Sequence, residues 1–135
     1  MTEPARAEKR NLTGVWNGLY TYRDGRSTSF VATLIESGGS LSGTTHEPDT
    51  RGTPGAVLYA TLTGARSDLA VTFVKSYERP DIFHRSSVRY EGVLNGENTE
   101  IEGRWTIMRF WSGKFLMVRS PGQEMKAERK AFTRA

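Results

Sequence analysis

Cysteine is absent from these 135 residues, which excludes a disulfide framework and any thiolate chemistry. Long apolar runs are absent too, and nothing approaches the ~20 residues of a membrane-spanning helix. The opening MTEPARAEKRN has no apolar core of a secretion signal. There is no Gly-rich phosphate loop, no nucleophile elbow and no zinc signature. These absences lead to the expectation of a soluble cytoplasmic protein with no membrane partner, no metal and no cofactor.

Basic charge is present, at +4 net, but its location argues against nucleic acid. Residues 1–11 balance to +1 and residues 119–135 to +3, so everything between is neutral. The excess belongs to the tails rather than to a folded surface that could track phosphates. The expected organisation is an N-terminal tail over 1–11, a β-domain over 12–119 and a basic C-terminal tail over 120–135. In that last stretch GQEMKAERKAFTRA spaces Met125 and Phe132 seven apart among helix formers, which suits either a short helix or a disordered tail.

What fills the middle is alternation. VRYEGVL sends Val88, Tyr90, Gly92 and Leu94 one way and Arg89 and Glu91 the other. TEIEGRWTI repeats this with Ile101, Gly103, Trp105 and Ile107 against Glu100, Glu102, Arg104 and Thr106. The pattern predicts strands at 14–22, 28–36, 40–46, 56–64, 69–77, 87–94, 99–107 and 114–119. One buried and one wet face per strand indicates antiparallel pairing. Eight hairpin-linked strands leave two raw edges unless the sheet closes, and eight suffices for a barrel that holds side chains or one small ligand. An all-β, eight-stranded antiparallel up-and-down barrel is the expected fold, with a two-sheet sandwich as the alternative.

The two ends of such a barrel differ. The links SGG, ARS and NGEN share one end and read as tight turns. HEPDTRGTPG, ERPDIFHRS and RFWSG lie at the other, where long varied loops make a mouth. Tyr20, Tyr22, Tyr59, Tyr77 and Tyr90 all map to the mouth half, and a tyrosine suits a surface apolar on its body and wet at its tip. Gly18, Gly92 and Gly103 each lie two residues from an inward aromatic (Trp16 or Tyr20, Tyr90, Trp105). Glycine there lets a strand bend under an aromatic cover, or leaves cavity volume, and the two readings are compatible.

Five segments together resemble the avidin–streptavidin family of calycin-type barrels: GVWNGLY, SLSGTTHEP, LAVTFVKSY, SSVRYEGVL and IEGRW. The resemblance spans most of residues 12–119 and implies an eight-stranded barrel with Thr45, Tyr90 and Trp105 lining a pocket. Phe73 or Val74 would form a further aromatic wall position. It also implies that the tryptophan of the loop between strands 7 and 8, here Trp111, crosses a subunit interface to close a neighbour's pocket. The biotin-binding set is not reproduced. Gly18 stands where that family has an asparagine, Tyr22 where it has a small hydroxylated residue, and KFLMVR offers no aspartate.

Two rim groups could carry chemistry: His46, Glu47 and Asp49 in one loop, and Glu78, Asp81 and His84 in another. Their spacing fits no ligand motif, which favours solvated loop residues. Lys75, on the apolar face of LAVTFVKSY, either reaches the rim or meets an anionic ligand group. Val15, Leu19, Val31, Ile35, Leu58, Leu62 and Leu116 read as outward and suggest a homo-oligomer, a dimer or tetramer. The functional expectation is a barrel that binds a small amphipathic or aromatic ligand through Tyr20, Tyr22, Thr45, Tyr59, Phe73, Lys75, Tyr90, Trp105 and Trp111. The alternatives are a cyclase or isomerase acting on a hydrophobic substrate through Asp81, His84 and Lys75, and a partner-binding module without a pocket. Trp111 and Phe110, at a hairpin tip, also read as a lid folded over their own mouth.

Overall fold

Period-2 alternation gives every strand one apolar face, and closing the sheet on itself buries all of those faces together. The computed structural model describes residues 11–50, 52–78 and 86–119. Its strands are β1 Gly14–Thr21, β2 Ser27–Ser37, β3 Ser40–Pro48, β4 Val57–Ser67, β5 Ala70–Tyr77, β6 Val88–Leu94, β7 Glu100–Ile107 and β8 Trp111–Val118. They follow one another around a closed barrel in chain order. Antiparallel pairing of β1 with β8, from Asn17↔Val118 to Thr21↔Lys114, removes the last edge. The expected sandwich alternative therefore does not hold. The tail over 120–135, with its expected helix, lies outside the described residues.

Tight turns at 38–39, 68–69 and 95–99 close one end. Gly38 and Gly39 both adopt positive φ, 57° and 86°, as a two-residue hairpin turn requires. A plug completes this end. Leu12 is buried under the barrel, its N–H donates to the Glu36 carboxylate at 2.9 Å, and its carbonyl accepts from Trp16 Nε1 at 2.9 Å. Arg119 lies 4.6 Å over the Trp16 ring. Its guanidinium donates to the carbonyls of Asn11, Thr13 and Asn98 at 2.8, 3.1 and 3.1 Å.

Two expectations are corrected by the strands themselves. On β4 the inward set is Leu58, Ala60, Leu62 and Gly64, so Leu62 is core and Leu58 half-buried, not outer-surface residues. A one-residue change of phase exchanges the two faces of a strand. At the other end of the chain, β8 begins at Trp111 rather than at 114. The β7–β8 turn is only Met108–Arg109–Phe110. Met108 and Arg109 both have positive φ, 51° and 69°, and Phe110 N–H donates to the Ile107 carbonyl at 3.2 Å. That is a primed turn built without the usual glycine or asparagine.

Of the inward glycines, Gly18 and Gly92 are covered by aromatics of other strands, not of their own, whereas Gly103 packs against the main chain of β6. A Cβ on Gly18 would lie 2.2 Å from the Phe30 ring, Phe30 being its direct cross-strand partner. A Cβ on Gly92 would lie 2.8 Å from Phe115, and one on Gly113 would lie 2.5 Å from the Trp105 indole. Rings thus fill the interior at these positions, and a cleft opens in the mouth half.

Candidate functional site: an aromatic cleft over a buried ion pair

A layer of four rings crosses the middle of the barrel. Phe73 stacks on Tyr90 at 4.8 Å, Phe115 meets Tyr90 edge-on at 4.9 Å, and Phe30 approaches Tyr90 at 6.4 Å. Above this layer the interior becomes polar. Lys75 on β5 and Glu47 on β3 form an ion pair with each side chain only 1% exposed. β4 runs between them, and there Ala60, paired with both Thr45 and Tyr77, presents only a methyl group. That gap lets the long Lys75 stem cross to the carboxylate.

The pair is satisfied by phenols. Tyr20 donates its hydroxyl to Glu47 Oε2, and Tyr77 donates to Glu47 Oε1 at 3.1 Å. The Lys75 ammonium lies 4.9 Å from the Tyr77 ring centroid, 5.1 Å from Tyr20, 5.3 Å from Phe30 and 5.9 Å from Tyr90. It occupies an aromatic cage, where ring faces favour a desolvated cation. Burial pulls the Lys75 ammonium down from its ordinary value, and the adjacent Glu47 carboxylate pushes back. Burial, reinforced by the negative charge of Glu47, holds the Tyr20 and Tyr77 phenols protonated well beyond their ordinary range. Tyr90 is raised too, first by burial.

Over this network opens a cleft of about 660 Å³, lined by Tyr20, Tyr22, Tyr77, Val88, Tyr90, Trp105 and Ile107. Its rim carries Arg23, Asp24, Arg26, Thr50, Ser86, Met108, Phe110, Trp111 and Ser112. Tyr22 and Trp105 stand edge-to-face at 5.5 Å, and Trp105 Nε1 donates to the Thr21 carbonyl at 3.0 Å, which fixes the indole. On the rim Arg26 pairs with Asp24 at 2.7 Å and lies 5.3 Å over the Tyr22 ring.

Five of the expected pocket residues meet at this cleft: Tyr20, Tyr22, Tyr90, Trp105 and Trp111. Three lie beneath it. Phe73 is in the ring layer, Lys75 is enclosed beside Glu47 and does not reach the rim, and Thr45 is buried. The Thr45 hydroxyl has no hydrogen-bond partner among the described residues. Tyr59 is a correction: it is 56% exposed on the outer face beside His46, because β4 runs in the opposite phase. Val74 is likewise exposed, leaving Phe73 as the inward residue of that pair. Trp111 does not fold over its own mouth as a closed lid, since it is 66% and Phe110 81% exposed. Asp81 and His84 lie outside the described residues.

Glu47 is the residue sequence reasoning misplaced. It is buried in β3, not solvated in a loop, while its neighbour His46 faces outward. Two signals could have found it. The alternation Leu41, Gly43, Thr45 continues to Glu47, and an inward lysine demands a carboxylate partner.

No family model matches this chain, and no curated protein does. Solved structures do. A redesigned β-barrel is 14% identical with a TM-score of 0.67, covering 81% of this chain and 91% of that one. The redesigned barrel mFAP1, bound to DFHBI, is 16% identical with a TM-score of 0.61, covering 80% and 94%. The redesigned barrel mFAP0, also bound to DFHBI, is 16% identical with a TM-score of 0.59, covering 80% and 98%. At such identities the likeness is one of architecture: this chain is an all-β, eight-stranded antiparallel barrel of the kind seen in those designed proteins.

Proposed function

We propose that the open end of this barrel binds a small, partly aromatic or amphipathic molecule. The observation that carries the reading is the cleft itself. Its walls are aromatic, its floor is polar and underlain by the Lys75–Glu47 pair, and its rim exposes Met108, Phe110 and Trp111. Concave, mostly apolar space with a few placed polar groups is what small-molecule sites require. Two barrels of the same architecture are bound to DFHBI, which supports this reading of the mouth. The likeness to avidin-type barrels agrees with it, since Tyr90 and Trp105 both border the cleft.

Trp105 and Trp111 border the cleft while Trp16 is buried at the closed end, so intrinsic fluorescence reports binding. Titration with DFHBI and a panel of planar aromatic compounds is expected to give saturable emission changes and a ligand-dependent rise in Tm. Trp105→Phe should remove most of the emission change. If no compound alters emission or Tm, the reading fails.

A homo-oligomer forms part of the proposal. Leu19 and Leu116 are cross-strand partners exposed on the outer face, with Val15 and Val93 exposed nearby. Light scattering tests this, and a monomer at working concentration would remove it.

A further inference from the structure

We propose that the cleft selects aromatic ligands whose leading edge carries a hydrogen-bond acceptor, such as a carbonyl oxygen, and that the Tyr90 hydroxyl is the donor that selects them. The inference rests on the ligand-binding reading of the cleft and adds the chemistry of its occupant.

The argument is a count of donors on the cleft floor. A phenol has one hydrogen to give. The hydroxyls of Tyr20 and Tyr77 both give theirs to Glu47. Trp105 Nε1 gives its hydrogen to the Thr21 carbonyl. Tyr90 is different. Its residue is 2% exposed and its ring is fixed between Phe73 and Phe115, yet its hydroxyl has no hydrogen-bond partner among the described residues. Tyr90 lines the cleft. Among the described residues the floor therefore presents oxygen lone pairs from Tyr20 and Tyr77 and one unpartnered donor, the Tyr90 hydroxyl, which is more deeply buried than the half-buried Tyr22 phenol of the wall. A spare lone pair is tolerated in a protein interior, but a buried donor without an acceptor is penalised. A ligand that brings an acceptor satisfies Tyr90, whereas one that covers it with hydrocarbon strands it. The surrounding walls, Tyr22 and Trp105, supply the flat aromatic contact.

A matched pair of probes isolates this effect. Prodan is a naphthalene carrying a dimethylamino group and a propionyl carbonyl, and 2-(dimethylamino)naphthalene is the same ring system without the carbonyl. The substitution Tyr90→Phe removes only the hydroxyl and keeps the ring that packs on Phe73 and Phe115, and circular dichroism checks its fold. Prodan is expected to lose about fivefold to tenfold in affinity on Tyr90→Phe, the worth of one hydrogen bond. The analogue without a carbonyl should bind both proteins alike, or bind the variant slightly better. Prodan emission should also lie further to the red in the wild-type barrel, because the bond is to its carbonyl. If both probes bind the wild type and Tyr90→Phe affects neither, the acceptor rule is overturned while the ligand-binding cleft stands. If neither probe binds the wild type, the cleft reading fails and the rule falls with it. Should the variant not fold, wild-type affinities decide, and equal affinities for the two probes overturn the rule.

Discussion

Removing one member of the Lys75–Glu47 pair strands the other as a lone charge in a water-poor interior. Such a loss costs about 3–5 kcal/mol, whereas replacing both members with uncharged groups of similar shape is often close to neutral. Lys75→Met should therefore lower stability by about 3–5 kcal/mol in urea unfolding. Adding Glu47→Gln should restore a large part of it, because glutamine still offers an oxygen to Tyr20 and Tyr77. A double variant as weak as the sum of the singles would show that the pair does not couple. The phenols set a second expectation. Tyr20, Tyr77 and Tyr90 hold their protons in the fold beyond the pH at which an unfolded tyrosine releases one. Above about pH 10 the unfolded chain binds fewer protons, so stability falls as pH rises, by about 1.4 kcal/mol per pH unit for each phenol. Lys75 acts in the opposite sense. Its folded value lies below the ordinary 10.5, so stability rises with pH between those two values and the lysine is silent above them. A pH series of Tm from 8 to 12, read with tyrosinate absorbance, should show a steep loss above about pH 10.5. Part of the tyrosinate signal should emerge only as the fold melts. Complete titration of all five tyrosines in a barrel that stays folded would contradict this.

Strands with clean alternation were legible in the sequence, and those with two plausible faces were not. β6 and β7 read correctly because charged residues alternate with apolar ones and only one phase is allowed. β4, VLYATLTGARS, alternates leucine and alanine with tyrosine and threonine, so either face passes as the inner one. Closure decides it, since the neighbours β3 and β5 fix which residues fill the interior, and Tyr59 is turned out as a result. The β7–β8 turn escaped notice for a different reason. Its positive-φ residues are methionine and arginine, which carry no turn signal of their own. This hairpin is also where substitution separates stability from binding. Trp111→Ala removes a side chain 66% exposed at the cleft rim. It should change unfolding free energy by no more than about 0.5 kcal/mol, as surface changes do, while weakening any bound aromatic probe several-fold. A large loss of stability would mean that Trp111 is buried in an assembly. The glycine positions separate by what a methyl group would strike. At Gly103 a Cβ would lie 1.9 Å from the Glu91 carbonyl and 2.5 Å from Gly92 Cα, both backbone on β6. At Gly18 the three nearest atoms all belong to the Phe30 ring, a side chain. Gly103→Ala should cost about 3 kcal/mol or more, and Phe30→Leu should not relieve it, since the strain is against the main chain. Gly18→Ala should cost less and be partly rescued by Phe30→Leu. Equal losses in thermal melts, with no rescue, would refute this ordering.

At the scale of the molecule, the interior is graded from a dry, filled base to a polar middle and an open aromatic mouth. The grading explains how one sheet can be both stable and receptive: Trp16, Leu12 and Arg119 hold the closed end without reference to anything bound at the other. That same plug has a consequence in time. β1 is made first and β8 last, yet the ladder joins Asn17 to Val118, and Arg119 reaches back across the barrel to Asn11. The first strand has no second neighbour until the final one has been synthesised. Pairings so distant in sequence are slow to find, and chains waiting for them expose unpaired edges. Ribosome-bound chains arrested before Trp111 should accordingly be digested by protease as rapidly as unfolded polypeptide, and chains carried past Arg119 should become resistant in one step. The birth of this barrel is thus timed by its last strand, and its nascent hairpins depend on protection from one another until that strand arrives.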